Sequence, residues 1–461
     1  MVPHPPISIP AVGHGDEKKM MRTIKSYQRA ARMIAGIRPD TIVILSPHSM
    51  LYFDYFHISP GEGAGGSMAE FQAEDVKFSV RYDTELVQEI EKIAQVSGLA
   101  AGTQGEKEPA LDHGTMVPLW FLQEAYKGNF GSVRFVRVGL SAQSFQEHYR
   151  LGMVIRQAAI NLGRRVAVVA SGDLSHRIQA DSPCGFHADG AAYDKRIMQA
   201  MEKADFGELF AFKEKFCENA AECGHRAFLI LAGCFDGMTL TAEKYSYEAP
   251  FGVGYGVCTY LPKGKSERRA FFEQQQGIQA RKLQERKEKE DEALKLARLA
   301  LENLIVREEK ISVPAGTSAE LTERRAGVFV SIYRNGRLRG CVGSIDPTGN
   351  IAEEIIRSAQ CAATRDTRFM PVQPNELDEL RYCVDILSQP EEISGEEALD
   401  AEKYGVIISR GFKKGLLLPK LEGIDTVEQQ MAAVREKAGI GAKDRVKMQR
   451  FTVERHEVPE E

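Results

Sequence analysis

Apolar and polar positions follow two different periods over the first 262 residues. Short, mostly apolar runs at 41–45, 133–138 and 165–170 read as strands buried on both faces. Between and around them, 16–35, 83–95, 146–162, 188–203 and 223–235 carry the spacing of amphipathic helices. Strands alternating with helices predict an α/β layered domain, a central sheet flanked by helices, with ligands at the loops beyond the strand ends. From residue 263 the pattern turns polar, and 281–292 is almost wholly charged, with Glu and Lys at helical spacing and no Pro. This predicts a solvated connecting helix over 263–292. Ala293, Leu294, Ala297 and Leu301 then form an apolar stripe. Alternating strands at 327–333 and 382–387, with a helix at 351–363, predict a smaller α+β domain over 293–461.

Composition narrows the function classes. The 461 residues are 43% hydrophobic and 27% charged, ordinary globular material with enough chain for more than one core. A net charge of −5 argues against a nucleic-acid binder. No apolar run has the roughly 18–20 residues a membrane span needs. The start, Met1-Val2-Pro3-His4, lacks the layout of a signal peptide, and the eight cysteines include no CxxC pair. The expectation is a soluble cytoplasmic protein in a reducing compartment, a homo-oligomer that binds neither nucleic acid nor membrane.

Nine of the ten histidines lie in the first domain. His4 sits between prolines, His48 follows an apolar strand and Ser46-Pro47, and His176 ends Ser171-Gly172-Asp173-Leu174-Ser175-His176 after another strand. His113 lies in Leu111-Asp112-His113-Gly114-Thr115. Histidine is the commonest metal ligand and the default acid–base group near neutral pH, so histidines at strand ends point to a metal centre with a proton-transfer residue. Each taken alone is equally a loop or core histidine. Glu222 precedes an apolar helix, where an acid can simply cap the N-terminus. With two histidines it would instead complete the facial triad of a ferrous centre, and the adjoining Cys223 is a further soft ligand.

These residues carry a resemblance. Pro3-His4-Pro5-Pro6, Ser46-Pro47-His48-Ser49, Asp112-His113-Gly114-Thr115, Ser171 to His176 and Glu222-Cys223-Gly224 resemble, in that order, the LigB superfamily of class III extradiol ring-cleavage dioxygenases and the related Memo proteins. Leu338-Arg339-Gly340-Cys341-Val342-Gly343 and Ala363 to Phe369 resemble the AMMECR domain. The combination resembles the protein A component of the AmmeMemoRadiSam system. The dioxygenase pattern implies Fe(II) held by His4, His48 and Glu222, with His176 as acid–base residue and His113 and Asp173 beside it. A catechol-like aromatic and dioxygen would be the substrates. The Memo pattern implies that Cys223 is the metal-proximal group, with copper or zinc as the metal. The chain would then be an accessory protein for a radical SAM partner, without ring cleavage.

Other features lead away from cofactors. Gly252-Val253-Gly254-Tyr255-Gly256 runs into an apolar stretch ending at Pro262, so it reads as a strand and not a dinucleotide-binding turn. Pro60 to Gly66 lacks the ending of a phosphate loop and is expected to be a mobile loop near the site. In the second domain Arg339, Cys341, Arg365, Asp366 and Arg368 form a candidate anion site, because arginine forks suit carboxylate or phosphate. The alternative is a tight turn with a buried cysteine and a structural Arg–Asp pair.

Overall fold

A computed structural model describes every residue except 106, 108, 109, 129, 335, 422, 460 and 461. The chain divides into two compact units, Met1–Ile278 and Gln279–Glu461, and the helix Phe271–Lys289 crosses that boundary. The charged stretch is therefore helical as the spacing predicts. It begins later, at Phe271, and the side chain of Asp291 caps the next helix, Glu292–Arg307, by accepting from Leu294 N–H at 3.0 Å. No helix among the described residues is long and apolar enough to cross a membrane.

The first unit is built on a parallel three-stranded sheet in the order Arg134–Gly139, Thr41–Ser46, Val166–Ala170. Thr41 pairs with Arg134 on one side and Val166 on the other. The central strand is buried at every position because both of its faces are covered. Ile42 and Ile44 pack with Tyr27, Ala31, Val117 and Phe121 from the helices Met21–Ile37 and His113–Ala125. Val43 and Leu45 pack against Tyr149, Ile155, Phe228 and Ile230 from Phe145–Asn161 and His225–Gly233. The predicted strands and helices are all present, with ends shifted by a few residues.

Two local expectations change. Of the Pro60 to Gly66 segment expected as a mobile loop, residues 63–66 belong to the strand Gly63–Met68, paired antiparallel with Ala73–Arg81. Gly63 and Gly66 are needed for packing there, since a Cβ at Gly66 would lie 2.9 Å from the Met116 sulfur. The helix His113–Ala125 has no counterpart in the periodic pattern, because it is buried nearly all round and carries Pro118 inside it. Gly252 lies in a loop before the long strand Tyr255–Lys265, which forms a hairpin with Met238–Glu248.

The second unit has an antiparallel sheet ordered Arg337–Ser344, Val328–Arg334, Leu380–Leu387, Val453–Glu457. The helices Glu292–Arg307 and Ile351–Thr364 bury its apolar face through Leu294, Leu301, Ile355 and Ala359 against Val328, Val330 and Val384. A second four-stranded sheet packs on the helix Val427–Ala438 around Val406, Ile408 and Val434.

Candidate metal centre

Parallel strands deliver their C-terminal ends to one edge of the sheet, and the site assembles there. His48 follows the central strand by two residues, and Ser171 directly follows Val166–Ala170. His4 is brought in by the first two residues of the chain. Val2 N–H donates to Ala170 C=O at 3.0 Å, and Gly172 N–H donates to Val2 C=O at 2.9 Å. His113 is the first residue of its helix, capped by Asp112, whose carboxylate accepts from Thr115 N–H at 2.9 Å and from Ser46 Oγ at 2.5 Å.

One ligand atom from each of His4, His48 and His113 lies within 4.8 Å of the other two, a group suited to a metal ion. The His4 and His48 Nε2 atoms are 3.0 Å apart. Two imidazole nitrogens about 2 Å from one cation and at right angles are separated by about that distance. The His48 and His113 rings lie 4.0 Å apart between centroids, and Phe71 meets His113 edge-on at 5.5 Å.

The hydrogen bonds fix the tautomer of His4. Ser171 Oγ donates its one proton to Gly114 C=O at 2.6 Å, so it must accept from His4 Nδ1–H at 2.9 Å. The Nε2 lone pair of His4 is then free for a metal. Burial lowers the pKa of all three rings, that of His48 to about 4 and that of His4 well below the usual range, where the charges of the neighbouring histidines add to the effect of burial. Neutral imidazoles are the ligating form.

The remaining expected residues separate into distinct roles. Asp173 accepts from the backbone N–H of His4 at 2.7 Å and positions that residue. Burial raises its carboxyl to about 7. Cys223 Sγ lies 3.6 Å from His4 Nε2 and 3.3 Å from Asp173 N, and burial pushes its thiol well above the usual range. His176 Nδ1 donates to Ala221 C=O at 2.7 Å, leaving Nε2 out of that bond. Burial lowers its pKa, and its charge would in turn depress His4 and His48.

Glu222 lies outside the converging trio of histidines, and its Oε2 accepts from His225 N–H at 2.6 Å at the start of His225–Gly233. An acid before an apolar helix commonly serves its first backbone N–H groups in this way, and the residue that joins His4 and His48 in the converging group is His113. Sequence reasoning did not find Ser171 or Asp112, although both sit inside motifs it had singled out. Their hydrogen-bond partners come from distant segments.

The second-unit residues are engaged with one another. Arg339 grips Glu376 through Nε at 2.8 Å and Nη2 at 2.9 Å. Arg368 pairs bidentately with Asp366 at 2.9 and 2.7 Å, and Asp366 also accepts from Cys341 N–H at 2.9 Å. Cys341 Sγ accepts from Ser331 Oγ at 3.2 Å, and Arg365 ends its helix through a backbone bond to Cys361 C=O at 2.8 Å. The forks of Arg339 and Arg368 are thus satisfied within the protein.

Comparison with known proteins places both units. The family described as catalytic LigB subunit of aromatic ring-opening dioxygenase matches residues 1–258, and AMMECR1 matches 294–458. A Clostridium acetobutylicum protein is 37% identical over 99% of this chain and 98% of its own length. A Thermotoga maritima protein is 46% identical over 35% of this chain and 95% of its own. A crystal structure of an uncharacterized Pyrococcus horikoshii protein is 32% identical, with a TM-score of 0.34, over 35% of this chain and 88% of that one. The chain belongs to the LigB family, with an AMMECR1 domain fused behind the LigB domain.

Proposed function

We propose that the first unit is a mononuclear metal enzyme of the ring-opening dioxygenase type, acting on a catechol-like substrate with dioxygen. The observation that carries this reading is the convergence of His4, His48 and His113 at the sheet edge, with His176 close by. These residues would hold the ion, Fe(II) being the first choice. Bound there, the metal supplies Lewis-acid and electron-transfer chemistry at the substrate oxygens. The chain's own part is proton handling and placement. His176, tied through Nδ1 to Ala221, keeps its other ring nitrogen as acceptor for a substrate hydroxyl proton, a contribution of about 10²–10⁴-fold in rate. Ser171 and Asp173 hold the His4 ring and backbone, so the ligand is set before substrate arrives.

The test is oxygen uptake by anaerobically purified, iron-loaded protein against a panel of catechols, wild type beside His176→Ala. Uptake lost in the variant, with iron content retained, supports the assignment. Full turnover without His176, or no uptake by stoichiometrically loaded wild type, refutes it.

A second reading rests on Cys223, whose sulfur is 3.6 Å from His4 Nε2 while Glu222 is committed elsewhere. A centre of imidazole and thiol suits copper or zinc. In this reading the chain is a metal-binding accessory to a radical SAM enzyme. Copper or zinc content that depends on Cys223, together with a stable complex with such a partner, would favour it.

A further inference from the structure

The turn that carries His176 has an anchor on another element, a buried acid of the helix Ala188–Lys203. Leu174 N–H donates to Gly254 C=O at 2.9 Å, and His176 N–H donates to Ala220 C=O at 3.1 Å. Arg177 N–H donates to Ser175 Oγ at 3.0 Å. Ser175 N–H, between them, donates to Asp194 Oδ1 at 2.8 Å. Of these four amides it is the one whose acceptor is a side chain from outside the turn.

By its helix position Asp194 is out of place. It lies on the buried face of Ala188–Lys203 with Tyr193, Ile197, Met198 and Met201, and only 1% of it is exposed. A carboxyl buried there costs stability unless donors meet it. Tyr247 Oη, from the strand Met238–Glu248, is the second donor, reaching Oδ2 at 2.8 Å. Gly254 closes a third side, since a Cβ there would lie 1.9 Å from Oδ2. Burial raises the carboxyl to about 7, so the neutral amide of asparagine is a close stand-in for its protonated form.

The bond to Ser175 reaches the His176 ring through one more contact. Ser175 Oγ donates to Ala220 C=O at 2.9 Å, and the next residue, Ala221, accepts from His176 Nδ1–H at 2.7 Å. With the Ser175 backbone fixed, its hydroxyl and His176 N–H share Ala220, and the ring is aimed at Ala221. Rotation of that backbone would break these contacts and let the ring proton move to Nε2. In that tautomer Nε2 has no lone pair and cannot act as a base. We propose that Asp194 is a positioning residue for His176, fixing the ring on Ala221 through Ser175 N–H and so keeping its proton on Nδ1. The assignment rests on the reading of His176 as the acid–base residue.

The test reads the imidazole itself, by heteronuclear NMR of the full chain with nitrogen-labelled histidine, His176 being assigned from its absence in His176→Gln. In wild type and in Asp194→Asn the proton should sit on Nδ1. The asparagine oxygen still accepts from Ser175 N–H, while its amide gives a proton to the Tyr247 oxygen. Asp194→Ala should leave the proton shared between the two ring nitrogens and speed its exchange at least about tenfold. Asp194→Leu removes the same acceptor without leaving a cavity and should behave alike. Tyr247→Phe takes away the other bond to the carboxyl and should leave His176 as in wild type. In iron-loaded protein, Asp194→Ala should lower kcat for oxygen uptake about tenfold or more, with KM and iron content unchanged. The NMR result does not depend on turnover, so failure here is told apart from failure of the dioxygenase reading. A proton held on Nδ1 as firmly in Asp194→Ala or Asp194→Leu as in wild type overturns the proposal. So does equal loosening in Tyr247→Phe, which would mark general packing and not the bond to Ser175.

Discussion

Replacing Ser171 by Ala removes the one group that decides which His4 nitrogen carries the proton. The hydroxyl is fully buried, accepts from His4 Nδ1–H at 2.9 Å and donates to Gly114 C=O at 2.6 Å. Its loss leaves a buried donor and a buried acceptor without partners, each costing about 1–3 kcal/mol. His4 can recover part of this by moving its proton to Nε2, where it would face His48 Nε2 at 3.0 Å. That tautomer cannot ligate. Loss of an outer hydrogen bond to a ligating histidine typically weakens metal binding about 10–100-fold, or about 1.4–2.7 kcal/mol. The assay is anaerobic competition between the protein and a chromophoric chelator for Fe(II) and, separately, Zn(II), with thermal unfolding of the apo-protein recorded alongside. Ser8→Ala is the control, because Ser8 is equally buried and its hydroxyl has no partner. It should leave metal affinity unchanged. If Ser171→Ala binds both metals within about twofold of wild type, the tautomer argument fails, and with it His4 Nε2 as a ligand atom.

Three further outcomes follow from the same geometry. Glu222→Ala should lower stability by about 1–2 kcal/mol through loss of the cap on His225 N–H, while metal content stays at the wild-type level. Metal lost in a folded Glu222→Ala protein would restore the carboxylate to the ligand set. Gly172→Ala places a Cβ 2.2 Å from Gly224 Cα, a backbone-to-backbone collision that no rotamer relieves. It should cost about 1–3 kcal/mol in chemical denaturation and displace Cys223 from Asp173, so wild-type stability would contradict the packing described. Asp194, buried and accepting from Ser175 N–H and Tyr247 Oη at 2.8 Å, has its carboxyl raised to about 7. The folded state therefore holds the proton that the unfolded chain has released, and this group's contribution to stability falls as pH rises from about 4 through 7. Asp194→Asn should gain relative to wild type by roughly 3 kcal/mol between pH 5 and pH 8, read by denaturant titration. A stability difference independent of pH would refute it.

The layered architecture was legible because its physics is local. A run such as Thr41–Leu45, apolar at nearly every position and ending at Ser-Pro-His, leaves little choice but a doubly covered strand with a loop at its end. The helices that read clearly are those with one wet face. His113–Ala125 did not, because burial all round erases the period, and Gly63–Met68 did not, because its glycines serve close packing rather than a turn.

For the site, the sequence by itself determined which residue types end up near one another. Histidines, a cysteine and carboxylates each follow a strand or precede a helix, and motif order carried the family resemblance. Only the tertiary structure decided who does what. Glu222 meets His225 N–H because a carboxylate three residues before a backbone N–H finds it locally, whereas His113 meets His48 only once separate segments pack. Ser171 became decisive through Gly114, a residue distant in the chain that the fold brings into contact. Hydrogen bonds within a turn are written in sequence spacing. Those that orient a ligand across a sheet edge depend on chain ends and helix starts that no local pattern relates.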